Sequence, residues 1–227
     1  MNKVLAFLLL FSFGSYVFAQ ETETRDVGSF RGIKSATGID VYLKKGSKES
    51  VRVEVSGTGI KNVITQVSGD YLKIHMDEGR YNRSRTVKVY VTYVELTKLS
   101  CSSASSIYAD GIIKARSLDL SASSAGSIDV GVEVEALTAS ASSAAEIELR
   151  GKAKRVELEA SSAAKINGYD LEADEADVSA SSAGSIRISV GQKIDARASS
   201  GADIRYRGNP VKTNTNSSSG GSVKKSS

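Results

Sequence analysis

The chain has 227 residues, 40% apolar and 25% charged, with one proline and a formal net charge of +4 from 30 bases and 26 acids. That composition excludes a disordered chain, and so even a charge balance excludes a nucleic-acid footprint. A single cysteine, Cys101, excludes an internal disulfide, so an exported chain of this kind must be held together by packing.

Taken in chain order, residues 1–19 read as a secretory leader. Lys3 precedes an apolar run from Val4 to about Phe13, and the small residues Val17 and Ala19 place cleavage after Ala19. The run is too short to span a bilayer, no cysteine follows it to carry a lipid, and no second apolar stretch occurs. The expected location is therefore the periplasm or the cell exterior, with no transmembrane segment in the processed chain. After a short lead over 20–29, a single domain is expected over 30–210. Its first part, 30–96, is β-rich but irregular. "VYL" (41–43), "VRVEV" (51–55), "LKIHM" (72–76) and "VKVYV" (87–91) alternate between apolar and polar residues, and these strands are expected to start and cap the fold.

From residue 97 to 210 the chain repeats itself. Six segments align on a string of small residues: "LSCSSASSI" (99–107), "LSASSAGSI" (120–128), "ASASSAAEI" (139–147), "LEASSAAKI" (158–166), "VSASSAGSI" (178–186) and "ARASSGADI" (196–204). Each opens with a period-2 alternation, the signature of a strand with one buried face, and no helical stripe interrupts the series. Units of about 19 residues with the same direction predict an all-β fold, a right-handed parallel β-helix-like solenoid whose coils stack about 4.8 Å apart.

Stacking turns repeats into columns. Cys101, Ala122, Ala141, Ala160, Ala180 and Ala198 form a column of small residues, which reads Cys101 as a buried packing residue rather than a reactive thiol. Ile107, Ile128, Ile147, Ile166, Ile186 and Ile204 form a core column. The Ser-Ser pair falls where the coil bends, and the serine hydroxyls are expected to bond backbone there. Residues 211–227 read as a last edge strand or a tail.

The residues offer little catalytic chemistry. His75, the only histidine, alternates with Leu72, Ile74 and Met76 and reads as a solvated strand residue; neither a Ser-His-Asp arrangement, a metal cluster nor a phosphate loop is present. No cofactor is implied. One outward column reads Lys98, Asp119, Thr138, Glu157, Asp177, Asp195, and its last three carboxylates are a candidate cation strip, weighed against a solvated strip relieved by Arg197. A second reads Tyr108, Asp129, Glu148, Asn167, Arg187, Arg205, so charge changes sign along the axis toward Arg207, a gradient able to steer an acidic polysaccharide or partner. The tyrosines, among them Tyr42, Tyr90, Tyr108 and Tyr169, are not expected to share a column.

The leader, the opening "FRGIKSATGIDVYLKKG" (30–46), the alternating lead-in, the small-residue coils and the closing "YRGNP" (206–210) together resemble the putative auto-transporter adhesin, head GIN domain family, found in exported proteins of Bacteroidetes. The likeness runs from about Val27 to Val223. The Gly-Ile-Asn motif reads Gly38-Ile39-Asp40 here. The resemblance implies a β-helix-like fold and no established catalytic residues. The expected function is a non-enzymatic exported module, an adhesin or structural protein binding glycan, surface protein or its own copies. The alternatives are a carbohydrate-active β-helix enzyme using Glu157, Asp177 and Asp195 on acidic polysaccharide, and an ice-binding surface, for which Thr138 stands alone in its column.

Overall fold

The computed structural model describes residues 20–79, 81 and 84–226. The expected leader, residues 1–19, lies outside them. The N-terminal part contains the strands β1 (Glu21–Arg25), β2 (Gly32–Ser35), β3 (Asp40–Lys45), β4 (Ser50–Ser56), β5 (Val63–Ser68), β6 (Tyr71–Met76), β7 (Thr86–Tyr93) and β8 (Lys98–Cys101). Five long strands follow: β9 (Ser106–Ala122), β10 (Ser127–Ala141), β11 (Glu146–Ala160), β12 (Lys165–Ala180) and β13 (Ser185–Ala198). The chain ends with β14 (Asp203–Arg207), β15 (Lys212–Ser217) and β16 (Ser222–Lys225). Each of β9–β13 lies parallel to the next. The whole is a parallel β-solenoid of about seven turns.

The columns follow from the register. Cys101 pairs with Ala122, which pairs with Ala141, and the series continues through Ala160, Ala180 and Ala198. Ile107, Ile128, Ile147, Ile166, Ile186 and Ile204 pair in the same way and are all at most 1% exposed. Alternation slips at Lys154–Arg155 in β11, where two exposed residues are adjacent. A strand of 15 residues that returns to the same column after 19 must bend, and such slips place its corners. Gly151 and Gly208 sit at corners with φ of 107° and 101°, and a Cβ there would lie 2.2 and 2.1 Å from the carbonyl oxygens of Val132 and Val190 in the coil before.

The Ser-Ala string is a turn with an uncommon backbone. Ser103 and Ala104 have φ of 54° and 57°, and the same pair of left-handed residues recurs at Ser124–Ala125, Ser143–Ala144, Ser162–Ala163 and Ser182–Ala183. Two consecutive left-handed residues mark the type I′ geometry, which reverses the chain in two residues. Ser105 Oγ accepts from the Ile39 N–H at 3.2 Å, but among the described residues the expectation that the hydroxyls of the Ser-Ser pairs hold this bend is not met; backbone does so. The N–H of Gly126 donates to the Ser123 carbonyl at 2.9 Å, and that of Gly184 to Ser181 at 2.8 Å. Where the fourth turn residue carries a Cβ the same bond is longer, 3.2 Å at Ala145 and 3.1 Å at Ala164. Adjacent turns also bond each other: the N–H of Ala104, Ala125, Ala144 and Ala163 each donates at 3.0 Å to a serine carbonyl one coil on. Small side chains are required because this fourth position is itself a buried column, Ser105, Ala145, Ala164 and Ala202 being at most 1% exposed.

The N-terminal part is more regular than its sequence suggests. Ser35 pairs with Cys101, and Val41 with Ile107, so β2 and β3 form a coil in register with the repeats. Thr37 and Gly38, with φ of 69° and 70°, occupy the turn, and the Gly38 N–H donates to the Ser103 carbonyl at 3.0 Å. Gly38-Ile39-Asp40 is therefore the exit of the first left-handed turn. Antiparallel strands then cover the end: β4 on β7, β1 on β4, and β5 on β6. Arg25 crosses the core's open end, donating to the carbonyls of Val63 (2.6 Å) and Ile60 (3.0 Å) and to Thr65 Oγ1 (3.1 Å). A charged side chain bridging two walls blunts an edge that would otherwise accept another chain. At the far end β15 and β16 pair in parallel with β13 and β14, continuing the columns with Thr213, Thr215 and Ser217.

Candidate functional site

The acidic strip is in register: Glu157 pairs with Asp177 and Asp177 with Asp195. Its two C-terminal carboxylates both contact Arg197. Arg197 Nη1 donates to Asp177 Oδ1 at 2.9 Å, and its Nη2 lies 2.9 Å from Asp195 Oδ1 at an angle that makes the contact an ion pair rather than a hydrogen bond. Among the described residues no three histidine, cysteine or carboxylate groups gather at metal-binding spacing. Thr138 stands between Asp119 and Glu157. Lys98, at the head of the column, bonds Asp119 at 2.7 Å, which raises its pKa. His75 faces outward on β6 with Nδ1 2.8 Å from the Met76 carbonyl oxygen. Cys101 is 1% exposed, and burial pushes its thiol up to about 11. None of these groups is brought together with another to form a reactive centre.

The tyrosines overturn their expectation. Tyr90 pairs with Tyr42 and Tyr42 with Tyr108, because β7, β3 and β9 are adjacent parallel strands. Their rings stack with centroids 5.2 and 5.3 Å apart and planes inclined by 21°. Aligning the repeats alone could not reveal this, since Tyr42 and Tyr90 lie outside them; aligning "IDVYL" with "SSIYA" on the residue before each tyrosine would have. Arg52 on β4 caps the stack with its guanidinium 4.1 Å from the Tyr90 centroid. Burial, then Asp40 and the two neighbouring phenols, raise the pKa of Tyr42, so its hydroxyl stays neutral at physiological pH.

Beside the stack lies an open hollow of about 550 Å³. Two outward columns line it. One contributes Thr24, Arg52, Tyr90 and Tyr42; the other contributes Ser50, Thr92, Lys44 and Asp110. Two aromatic rings, the hydroxyls of Thr24, Ser50, Thr92, Tyr42 and Tyr90 and three charges thus converge on one concave surface, the composition of a small-ligand site. The column that starts in this hollow continues past Tyr108 through Asp129, Glu148, Asn167, Arg187 and Arg205 to Lys224. Asp129 is paired with Arg150, and Asn167 donates to Glu148 Oε2 at 2.9 Å. Burial raises the pKa of Glu148.

With this arrangement in place, comparison with known proteins is informative. A family model described as "Putative auto-transporter adhesin, head GIN domain" matches residues 29–210. The chain belongs to this family. The family is named for an adhesin head and not for an enzyme, and such a family is associated with the cell surface or export. Solved structures share the fold across 92% of the chain. A crystal structure of a "putative adhesin" from Bacteroides fragilis NCTC 9343 superposes with a TM-score of 0.84 at 18% identity, over 97% of that chain. One from Parabacteroides merdae ATCC 43184 gives 0.74 at 19%, over 96% of that chain. A "putative lipid binding protein" from Parabacteroides distasonis ATCC 8503 gives 0.73 at 18%, over 97% of that chain. No curated protein matches the chain in sequence. Among the described residues no helix is long and apolar enough to cross a membrane.

Proposed function

We propose that the protein is an exported, non-enzymatic binding module of the adhesin-head type, and that it holds a glycan in the hollow beside Tyr90, Tyr42 and Tyr108. The observation that carries this reading is the stack itself. Each face of Tyr42 is covered by a neighbouring ring, so the rings turn their edges and hydroxyls outward. An aromatic edge is the electropositive part of the ring and suits oxygen-rich ligands. Arg52, Lys44 and Asp110, with the hydroxyls of Thr24, Ser50 and Thr92, supply the donors and acceptors that a sugar's hydroxyls require. An acyl chain is a poorer match, because the solenoid interior is filled by side chains such as Ile107, Ile128 and Leu120 that are wholly buried.

The test is a glycan array followed by titration of the strongest ligand against wild type, Tyr42→Ala and Arg52→Ala. Removing Tyr42 breaks the stack at its centre and is expected to weaken binding by about tenfold to a hundredfold, on the scale of an aromatic anchor. Wild type that binds no glycan above background, or Tyr42→Ala that binds as tightly as wild type, overturns the reading.

A further inference from the structure

The last coils differ in charge from the rest of the molecule. Residues 187–227 contain eight bases, Arg187, Lys193, Arg197, Arg205, Arg207, Lys212, Lys224 and Lys225, against two acids, Asp195 and Asp203. Residues 20–186 contain 21 bases and 24 acids. The pairing of charges differs too. Between residues 98 and 154 every base forms an ion pair with an acid: Lys98, Lys114, Arg116, Arg150, Lys152 and Lys154. On the last coils Arg197 and Arg205 do so, while Arg187, Arg207 and Lys224 have no acidic partner within 4.0 Å among the described residues.

The register sets several of these bases in line. Arg187 pairs with Arg205, and Arg205 with Lys224, on successive rungs about 4.8 Å apart. Like charges stacked directly across strands repel. On the acidic strip that repulsion is relieved by Arg197; among the described residues no carboxylate does the same for Arg187 and Lys224. Tyr169 stands beside this row in the irregular stretch of β12 where the register shifts between Gly168 and Glu172. Its ring lies under the guanidinium of Arg207 at 3.9 Å and near that of Arg187 at 5.9 Å. Its hydroxyl is 2.8 Å from Ser226 Oγ, which ties the terminal coil to the ring. Guanidinium groups resting on an aromatic face are held in place before any ligand arrives.

We infer that this row is a docking face for a polyanionic polysaccharide, bearing uronate or sulfate groups, that lies along the solenoid axis. A regular line of bases matches a polymer whose charge repeats, and among the described residues of the last coils only Val211 is a large exposed apolar side chain, too little to anchor the row in a bilayer. The face is separate from the hollow at Tyr42, since Asp129, Glu148 and Asn167 lie between them in the column. It therefore stands or falls independently of the glycan site proposed at Tyr42.

Titration calorimetry of the purified protein with polygalacturonate, with uncharged dextran as control, tests the assignment. Binding is expected at about 0.01 M salt and is expected to fade by about 1 M, where the screening length drops from ~30 to ~3 Å. Arg187→Ala with Lys224→Ala is expected to weaken it by about tenfold or more, with an unchanged melting temperature and unchanged binding in the Tyr42 hollow. Arg187→Lys is expected to retain most of it. Four results each overturn the inference: no binding at low salt, equal binding of dextran, a double variant as tight as wild type, or tighter binding of phosphatidylglycerol vesicles than of polygalacturonate. Salt-sensitive self-association that the double variant abolishes, with no polysaccharide bound, reassigns the face to a second copy and overturns it as well.

Discussion

The coil formed by β2 and β3 and the coils formed by β9–β13 use the same columns with different residues. In the repeats the narrow column is Ala122, Ala141, Ala160 and Ala180, and the turn is Ser-Ala; in the first coil the column holds Ser35, next to Ile74 of β6, and the turn is Thr37-Gly38. The repeats face a copy of themselves on both sides, so each position has one admissible size. The first coil faces the repeats on one side and the parallel strands β6 and β7 on the other, so along this column size drops from Ile74 to Ser35 and stays small through Cys101 and Ala122. Width is thus set by what lies on the neighbouring coil. The outward faces differ for the same reason. Where two neighbours repeat the tyrosine, at Tyr90, Tyr42 and Tyr108, a stack forms; where they do not, at Tyr169, the ring takes up arginines instead.

The sharpest way to break this contrast is to enlarge the narrow column within the repeats. Ala122 is 2% exposed and has Cys101 and Ala141 as its rung neighbours. Ala122→Leu inserts a branched side chain with no free space on either coil and is expected to cost about 1–3 kcal/mol. Ser121→Lys, one residue away on the outer face, is expected to change stability by no more than about 0.5 kcal/mol. Chemical denaturation of the two variants reads both effects, and equal tolerance of both would show that the register does not control packing here.

The same contrast explains what was legible beforehand. Six copies of one string locate the Ile107 and Ala122 columns from pattern alone, because each copy supplies the alignment of the next. The coils that begin and end the series escape that comparison. "IKSATGIDV" shares with "LSCSSASSI" only the alternation and the turn position, since Ser35 and Gly38 face a different neighbour. "TNTNSSSGG" replaces apolar column residues with Thr213, Thr215 and Ser217, which are exposed. The tyrosine stack was illegible for the same reason: two of its three rings belong to the non-repeating part. The Ser-Ala turn was located but misread in its cause, since side-chain type points to hydroxyl bonding while the observed bonds are between backbone groups.

A smaller effect separates the two kinds of turn. Ala144 has φ of 58°, a conformation that costs an alanine about 1–2 kcal/mol relative to glycine. Ala144→Gly is therefore expected to stabilise the protein by about 0.5 kcal/mol, after subtracting glycine's greater freedom in the unfolded chain. Gly38→Ala is expected to do the reverse, by about 1 kcal/mol, because a Cβ there meets nothing closer than Arg85 Nη2 at 3.8 Å and only the backbone conformation is penalised. Melting curves that move in opposite directions for the two substitutions would establish that the left-handed pair, rather than side-chain packing, distinguishes the turns.

A substitution read mainly through its pH dependence belongs to Cys101, where the two kinds of coil meet. Its rung neighbours are Ser35 and Ala122, so Cys101→Ala continues a column of small residues and is expected to shift stability by no more than about 1 kcal/mol. Alkaline solution reveals more. Burial raises the folded thiol from its usual 9.0 to about 11, whereas the unfolded thiol ionises near its usual value. Between those two pH values the unfolded chain binds fewer protons than the folded one, so stability falls as pH rises. The contribution is fully present below about pH 9 and is lost as pH rises through about 11. Tyr93 and Tyr42, whose phenols are also raised by burial, contribute the same sign at higher pH and remain in the variant. Urea denaturation of wild type and Cys101→Ala across this window is therefore expected to give a shallower decline for the variant. Parallel curves would mean that the thiol ionises as readily in the folded protein as in the unfolded chain, and that the narrow column admits water at the point where the first coil joins the repeats.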